Sequence, residues 1–285
     1  MITLVIDVKG WAFDRTADEM IKYLPFEVKK RYVQEFNDKP EFTEFTHFMN
    51  WLDGKELGDR VSGGVCSHNF EIRHKKQAKK KMPKMRALST ISKRLYTTIS
   101  KYNNNVHYCP NGVDADMFTP TVNTGEFTVG WVGQPSSGGK KSTEGVISCD
   151  IKGYGSFLKP LLKRLKNVKF KILDLPYDKA MPHSEMPGWY RDIDVLICTS
   201  LYEGCPLPVL EASACGKTVV STRVGIVPEL LDDFIVYSVD EMAERLLFLK
   251  DNRDLCREVG AKNRQKIEKD WTWKKVVKNW EGFFK

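Results

Sequence analysis

Several features that would place this chain of 285 residues in a specialised class are missing from its sequence. It has no apolar run of about 18 residues, so no transmembrane helix is predicted. Residues 1–8 lack a basic stretch ahead of their apolar residues and are typical of a first strand, not of a signal peptide. With 41% hydrophobic and 29% charged residues, the chain is predicted to be globular, with enough length for two modest domains.

Metal-binding and disulfide patterns are also missing. The seven cysteines include no Cys-x-x-Cys pair, and the five histidines show no ligand spacing. Neither zinc nor another metal is therefore expected. An odd, scattered set of cysteines in apolar segments indicates reduced thiols, so we expect a cytoplasmic protein, with a peripheral position at a membrane or on DNA left open.

Two common nucleotide-binding motifs are absent or broken. No Gly-x-Gly-x-x-Gly follows the first predicted strand, so no dinucleotide cofactor is expected. Residues 133–142 approach a P-loop, but the segment is one residue too long and Lys141 stands where a Mg²⁺-binding Ser or Thr is needed. This excludes ATPase chemistry. A glycine-rich loop with lysines can still hold phosphates through its backbone amides.

Acidic residues are missing from one long stretch. Between Arg73 and Lys101 there are 11 basic residues and no acidic one. Residues 1–110 hold 20 basic against 13 acidic residues and the remainder 25 against 24, so most of the net charge of +8 lies in the first part. A solvated helical face would explain the block. Contact with a polyanion or an anionic surface, such as DNA or an anionic membrane, is more typical of so long a one-signed run.

Hydrophobic spacing predicts a basic amphipathic helix over residues 83–102. Its apolar residues recur every three or four positions, which would bury one stripe and leave the lysines outward. This stripe consists of Leu88, Ile91, Leu95 and Ile99.

Short apolar runs alternate with helical patterns along the chain. This order predicts an α/β fold with two Rossmann-like halves. Residues 113–126, rich in Pro, Asn and Gly, are predicted to be a linker, which gives domains at 1–112 and 127–268 and a final helix at 269–285. The predicted strands are residues 2–8, 26–36, 46–51, 61–66, 106–109, 127–132, 168–173, 195–198 and 218–221.

Residues 194–231 are the most informative part of the sequence. A buried strand, a loop carrying Glu203, a helix that contains Glu211 and a second strand form a predicted βαβ unit. The amides at such a helix start attract phosphate or developing negative charge. A carboxylate one turn deeper can accept two hydrogen bonds from a ribose diol. Taken alone, the two glutamates would more often be a helix-capping residue (Glu203) and a surface residue (Glu211), because matches to so short a motif are frequently accidental.

This stretch as a whole resembles the group 1 family of retaining, nucleotide-sugar-dependent glycosyltransferases, whose hallmark is a Glu-x7-Glu pair. The turn at residues 111–114 (Asn-Gly-Val-Asp) and Lys152-Gly153 fit the same family. The resemblance is strong over residues 106–280 and holds in outline before them. Its residues within the stretch are Ser200, Glu203-Gly204, Leu207-Pro208, Leu210-Glu211-Ala212, Ala214-Cys215-Gly216, Val224-Gly225 and Pro228-Glu229.

The resemblance implies a GT-B architecture, in which two Rossmann-like domains face a cleft and the C-terminal helix crosses back to the first domain. It implies metal-independent sugar transfer from a nucleoside diphosphate sugar, with no further cofactor. Glu203 would orient the donor sugar, Glu211 would hold the ribose and Lys152 would neutralise the leaving diphosphate. The segment that contains His183 would line the pocket for the nucleotide base of the donor. The remaining donor-binding residues would be Gly133, Gln134, Lys140, Gly204, Cys205, Pro206 and Leu207.

The sequence departs from the family at one point. Where the family commonly has Gly-x-Arg, with an arginine on the donor diphosphate, Gln134 and Pro135 follow Gly133. Lys140 or Lys141 would have to compensate. The missing arginine also permits a different class of function, a non-catalytic module that binds a nucleotide sugar or nucleic acid.

The acceptor side is predicted in residues 1–112. Gly10 and Trp11 follow the first strand, at the edge where α/β folds bind ligands. An exposed His68 after a later strand could act on the acceptor as an acid or base, or could be a structural loop histidine. The central lysines of the basic block, Lys79, Lys80 and Lys81, suggest an acceptor that is, or sits on, a polyanion. A hydroxymethylated DNA base and a lipid-linked or envelope glycan fit this description equally.

Overall fold

The computed structural model describes residues 1–10, 12–39, 41–53, 60–68, 70–134, 150–174 and 181–285. These divide into two compact units. Unit 1 comprises Met1–Gly112 together with Trp271–Lys285, and unit 2 comprises Val113–Asp270.

Unit 1 is built on a six-stranded parallel sheet in the order β2-β1-β3-β4-β5-β6. Its central strands are buried on both faces, as helices cover parallel sheets on both sides. The strands are β1 (Ile2–Ile6), β2 (Val28–Tyr32), β3 (Phe45–Phe48), β4 (Val61–Val65), β5 (Ala87–Thr90) and β6 (Val106–Tyr108). The helices before β6 are α1 (Ala12–Tyr23), α2 (Val33–Asp38), α3 (Phe70–Arg73), α4 (Lys75–Lys81) and α5 (Lys93–Ile99).

Two predictions for this sheet were wrong. The strand predicted over residues 26–36 ends at Tyr32, where α2 takes over. The helix predicted over residues 83–102 contains the strand β5, which pairs with β4 and β6, and only its second half is the helix α5. Ser92 separates the two, since its hydroxyl accepts a hydrogen bond from Leu95 N at 3.3 Å and caps α5. A four-residue strand buried on both faces shows no alternation of apolar and polar residues. Leu88 was therefore counted as part of the apolar stripe of the predicted helix.

Unit 2 holds a five-stranded parallel sheet in the order β11-β10-β9-β7-β8. The strands are β7 (Thr128–Gly133), β8 (Lys169–Asp174), β9 (Val195–Cys198), β10 (Thr218–Thr222) and β11 (Ile235–Val236). The helices are α6 (Lys159–Arg164), α7 (Met186–Arg191), α8 (Leu207–Ala214), α9 (Val227–Leu230), α10 (Val239–Asp251) and α11 (Arg253–Lys266). Short 3₁₀ or π turns cover Met82–Lys84, Tyr154–Leu158, His183–Glu185 and Ile267–Trp271.

The last helix, α12 (Trp273–Phe284), belongs to unit 1. Its apolar face is buried in the core that also contains residues of β1, β3 and α1. Trp280 is 1% exposed and donates its indole N–H to Pro110 O at 3.0 Å. The chain therefore returns to its first unit, and the predicted crossing of the C-terminal helix is confirmed.

Candidate functional site

The order of the strands in unit 2 indicates which edge of its sheet is expected to bind a ligand. The chain runs from β7 outward to β8 and then returns to place β9 on the other side of β7. Open parallel sheets bind ligands at such a reversal, beyond the carboxyl ends of the two strands. The segments that leave this point are Gly133-Gln134 after β7 and Thr199 to Pro206 after β9.

A close ion pair joins Lys152, just before the turn at Tyr154–Leu158, to Glu203 in the loop after β9. Lys152 Nζ contacts Glu203 Oε1 at 2.5 Å, and the Ser200 hydroxyl donates to the same oxygen at 3.1 Å. The Lys152 and Glu203 side chains are 29% and 16% exposed. Burial lowers the pKa of Lys152, but the Glu203 carboxylate outweighs burial and raises that pKa above its usual range. Lys152 is therefore a fixed cation at neutral pH.

The backbone of Lys152 is fixed to the end of β9. The Thr199 hydroxyl donates to Lys152 O at 2.6 Å, and Leu201 N donates to Ile151 O at 2.8 Å. Gly153 has a φ of +64°, and a Cβ there would lie 1.9 Å from Thr199 O. Glycine is required for this approach, which brings Lys152 to Glu203 across 51 residues of sequence.

The loop from Gly204 to Leu207 is held by a second close backbone approach. Ile226 N donates to Gly204 O at 2.9 Å, and a Cβ on Gly225, whose φ is +47°, would lie 2.1 Å from that oxygen. Pro206 then caps α8 in an extended conformation, and Leu207 is its first residue. Cys205 is buried. The first residue of α8 thus lies four residues beyond Glu203 in sequence.

Glu211 is a buried carboxylate on α8, at 6% exposure. Tyr190 donates its hydroxyl to Glu211 Oε2 at 2.7 Å, and His183 Nε2 lies 3.2 Å from Oε1. Phe118 packs against both partners, with ring centroids 5.3 Å from His183 and 6.0 Å from Tyr190. Sequence reasoning had placed His183 in a wall and missed Tyr190, because neither contact follows from local spacing.

The other predicted donor residues are partly accounted for. Gly133 ends β7 and Gln134 follows it, at the same edge of the sheet as Glu203. Lys140 lies outside the described residues, as does Trp11 on the predicted acceptor side. Trp131, on β7, donates its indole N–H to Thr199 Oγ1 at 2.9 Å and ties β7 to the end of β9.

In unit 1 the predicted acceptor-side residues that the structure describes lie on separate elements. Gly10 N donates to Asp14 Oδ2 at 2.7 Å, at the start of α1. His68 is 7% exposed, so the prediction of an exposed histidine was wrong. It packs on α5, with Nε2 3.5 Å from Thr98 Oγ1, and burial lowers its pKa. Lys79 and Lys80 are exposed and Lys81 is half-buried.

Unit 1 also holds titratable groups that sequence reasoning missed. His47, on β3, is fully buried, with Nδ1 2.8 Å from Ser62 Oγ, and burial lowers its pKa to about 3. Asp53 follows β3, the strand that the chain places on the other side of β1 after it has formed β2. Burial, with a contribution from the charge of Asp7, raises the pKa of Asp53 to about 6. No sequence pattern marked either residue.

Among the described residues, no three His, Cys, Asp or Glu side chains come together as a metal site. None of the six cysteines that the structure describes forms a disulfide, and five of the six are buried. No described helix is long and apolar enough to cross a membrane.

These groups offer a cation, an oriented carboxylate and a helix start at one edge of unit 2. A cation and backbone amides stabilise a departing diphosphate, and buried carboxylates orient hydroxyl groups. The arrangement suits a ligand that carries both phosphates and hydroxyls.

Comparison with solved structures gives the fold first. The structure aligns with sucrose-phosphate synthase from Thermosynechococcus elongatus, with a TM-score of 0.72 and 12% identity over 99% of this chain and 97% of that one. It aligns with Anabaena HepE in complex with UDP-glucose, with a TM-score of 0.66 and 13% identity over 98% and 97% of the two chains. The fold is therefore that of the GT-B glycosyltransferases, as predicted.

The sequence itself is similar to a glycosyltransferase family over part of its length. Residues 147–252 match the family profile described as glycosyl transferases group 1, which confirms the resemblance carried by the Glu203 and Glu211 motif. A probable sucrose-phosphate synthase from Thermosipho melanesiensis is 30% identical over 132 residues, which are 45% of this chain and 30% of that protein. The match thus spans about a third of the length of this curated relative.

Proposed function

We propose that this protein is a retaining, metal-independent glycosyltransferase that takes its sugar from a nucleoside diphosphate sugar. The observation that carries the proposal is the pairing of Lys152 with Glu203 at the reversal point of unit 2, with Glu211 on the helix that follows. All three lie within the stretch that matches the group 1 family. A protein of the same fold is known in complex with UDP-glucose.

The proposed chemistry uses each group in a distinct way. Departure of the diphosphate builds negative charge, which Lys152 and the amides at the start of α8 stabilise; one such donor contributes about 3 kcal/mol. Glu203 orients the donor sugar, and its contact with Lys152 fixes the carboxylate before the donor arrives. Glu211 accepts hydrogen bonds from the ribose.

We also propose that the acceptor is, or is attached to, a polyanion. The exposed lysines of α4 and its neighbours support this, because no acidic residue lies between Arg73 and Lys101. A hydroxymethylated DNA base and a glycan at an anionic membrane surface are the two candidate acceptors, and a direct comparison of the two is given in the Discussion.

The donor proposal is tested by thermal unfolding with UDP-, GDP-, ADP- and dTDP-sugars. We expect one nucleotide class to raise the unfolding temperature of the wild type and of Glu244→Ala, an exposed control on α10, but not of Glu211→Ala. The anomeric configuration of the product, read by NMR, tests retention, and activity in EDTA tests metal independence. Equal stabilisation of the Glu211→Ala variant would remove the ribose role.

The structure also leaves a reason to test for a non-catalytic module. Gln134 and Pro135 follow Gly133 in the sequence, so the arginine of the family's Gly-x-Arg is missing, and Glu203 already pairs with Lys152. Stabilisation by a donor without any release of nucleoside diphosphate, with either acceptor class, would favour the module over the enzyme.

A further inference from the structure

The carboxylate of Glu211 is held from two sides by groups outside its own helix. Tyr190 lies on α7 and His183 on the turn before it, 21 and 28 residues away in sequence. Neither interaction is needed to form α8, since that helix has its own backbone hydrogen bonds. The contacts therefore act on the carboxylate itself.

The Tyr190 contact is the rigid one. Its side chain is fully buried, and its hydroxyl lies 2.7 Å from Glu211 Oε2, a charge-assisted hydrogen bond. The ring packs at 6.0 Å from Phe118, which is also fully buried. Because a tyrosine ring in such packing has one position, Oε2 is held in one position too.

The His183 contact closes the other side. Its Nε2 lies 3.2 Å from Glu211 Oε1, and its side chain is 30% exposed. A carboxylate oxygen can only accept, so Nε2 carries the hydrogen. The packing of the imidazole on Phe118 at 5.3 Å fixes the direction in which it donates.

A carboxylate has about four lone-pair positions for hydrogen bonds. Tyr190 and His183 occupy one on each oxygen, which leaves one on each oxygen. A ribose presents two neighbouring hydroxyls, whereas a 2′- or 3′-deoxyribose presents one. The protein groups thus leave a number of acceptor positions that matches a ribose diol.

We infer that Tyr190 and His183 are positioning residues that orient the Glu211 carboxylate so that it selects a ribose over a deoxyribose in the donor. This inference rests on the proposed function of Glu211. A site built for two hydroxyls discriminates against a sugar lacking one, because a buried acceptor is then left unpaired.

The test is the ratio of affinities for ribose and deoxyribose ligands. Isothermal titration with UDP, GDP and their 2′-deoxy and 3′-deoxy analogues is made on the wild type, Tyr190→Phe, His183→Ala and His183→Gln. We expect the wild type to bind the ribose form at least about 10-fold more tightly. Tyr190→Phe and His183→Ala should lose most of that ratio by weakening the ribose form, and His183→Gln, which keeps an N–H donor, should retain more of it.

Tyr237→Phe is the matched control, because it removes the same hydroxyl group from an exposed tyrosine between β11 and α10. It should leave the ratio unchanged. If Tyr190→Phe weakens binding of the ribose and deoxyribose forms by the same factor, the ratio of affinities is unchanged. Tyr190 would then have a merely structural role, and the inference would be overturned. His183→Ala changes a partly exposed side chain. If Tyr190→Phe does not fold, the affinity ratio of His183→Ala provides the same test.

The failure of the donor proposal would look different. A wild type that binds none of these diphosphates would remove the donor site and the inference with it. A wild type that binds both sugar forms equally would remove the ribose role of Glu211. A wild type that discriminates while both positioning variants keep its ratio would leave the donor site standing and overturn the inference alone.

Discussion

His47 shows how one buried side chain sets a pH dependence. In the folded chain its pKa is about 3, because burial disfavours the charged ring, whereas in the unfolded chain it is about 6.5. As the pH falls below about 6.5, the unfolded chain binds a proton that the folded chain does not bind. Folding stability due to this group is therefore lost from pH 6.5 downward, by about 2 kcal/mol at pH 5.

Urea unfolding of the wild type and of His47→Gln at pH 7 and pH 5 measures this loss. Asp53, whose pKa is raised to about 6, acts in the opposite direction, because the folded chain takes up its proton first. The comparison between the two proteins cancels that contribution. We expect the wild type to lose about 2 kcal/mol more than His47→Gln on acidification; equal losses would contradict the assignment.

Single residues also show what the sequence could and could not predict about the site. The Glu203 and Glu211 pair was found because its spacing, prolines and glycines lie within one βαβ unit. Lys152 was assigned to the diphosphate only through the family resemblance, and its contact with Glu203 depends on Gly153 approaching β9. The Tyr190 and His183 contacts join separate elements, so no local pattern could predict them.

Among the elements, α12 contributes a whole face to the core of unit 1. Trp280 is 1% exposed, and its indole N–H is satisfied by Pro110 O. Its truncation to alanine leaves a large cavity and an unpaired carbonyl. We expect Trp280→Ala to lower the free energy of unfolding by about 3–5 kcal/mol.

Lys278→Ala, on the exposed face of the same helix, is the control and should stay within about 0.5 kcal/mol of the wild type. Fluorescence-detected urea unfolding gives both values. A Trp280→Ala variant as stable as the control would mean that α12 is not part of the core in solution.

The accuracy of the element predictions depended on length and periodicity. Strands such as β1 and β9 were predicted because they are continuous apolar runs bounded by loops. The strand β5 was missed because it has four residues and is followed at once by a capped helix, so the two shared one apparent helical period. The strand β2 was predicted too long because α2 follows it without a turn residue.

For the whole molecule, the charge distribution is the main clue to the acceptor. The exposed lysines of α4 present a positive surface on unit 1, because no acidic residue lies between Arg73 and Lys101 in the sequence. The four lysines that define this surface are Lys75, Lys76, Lys79 and Lys80.

Two variants with the same net charge separate a local surface from general attraction. One replaces the four lysines of the α4 surface with glutamine. The other makes the same change at four exposed lysines of unit 2, namely Lys163, Lys166, Lys169 and Lys262. Both are compared with the wild type on a short DNA duplex and on phosphatidylglycerol vesicles over a range of salt concentrations.

We expect the α4 variant to lose binding and the unit 2 variant to keep most of it. If the partner is DNA, the slope of log K against log salt should fall in magnitude by about 3 to 4, since each phosphate contact contributes about 0.9. If the partner is a membrane, each lysine contributes about 1 kcal/mol to vesicle binding, and the duplex should bind weakly to all three proteins. Equal losses in the two variants would mean that net charge alone draws the protein to polyanions, and α4 would then have no part in choosing the acceptor.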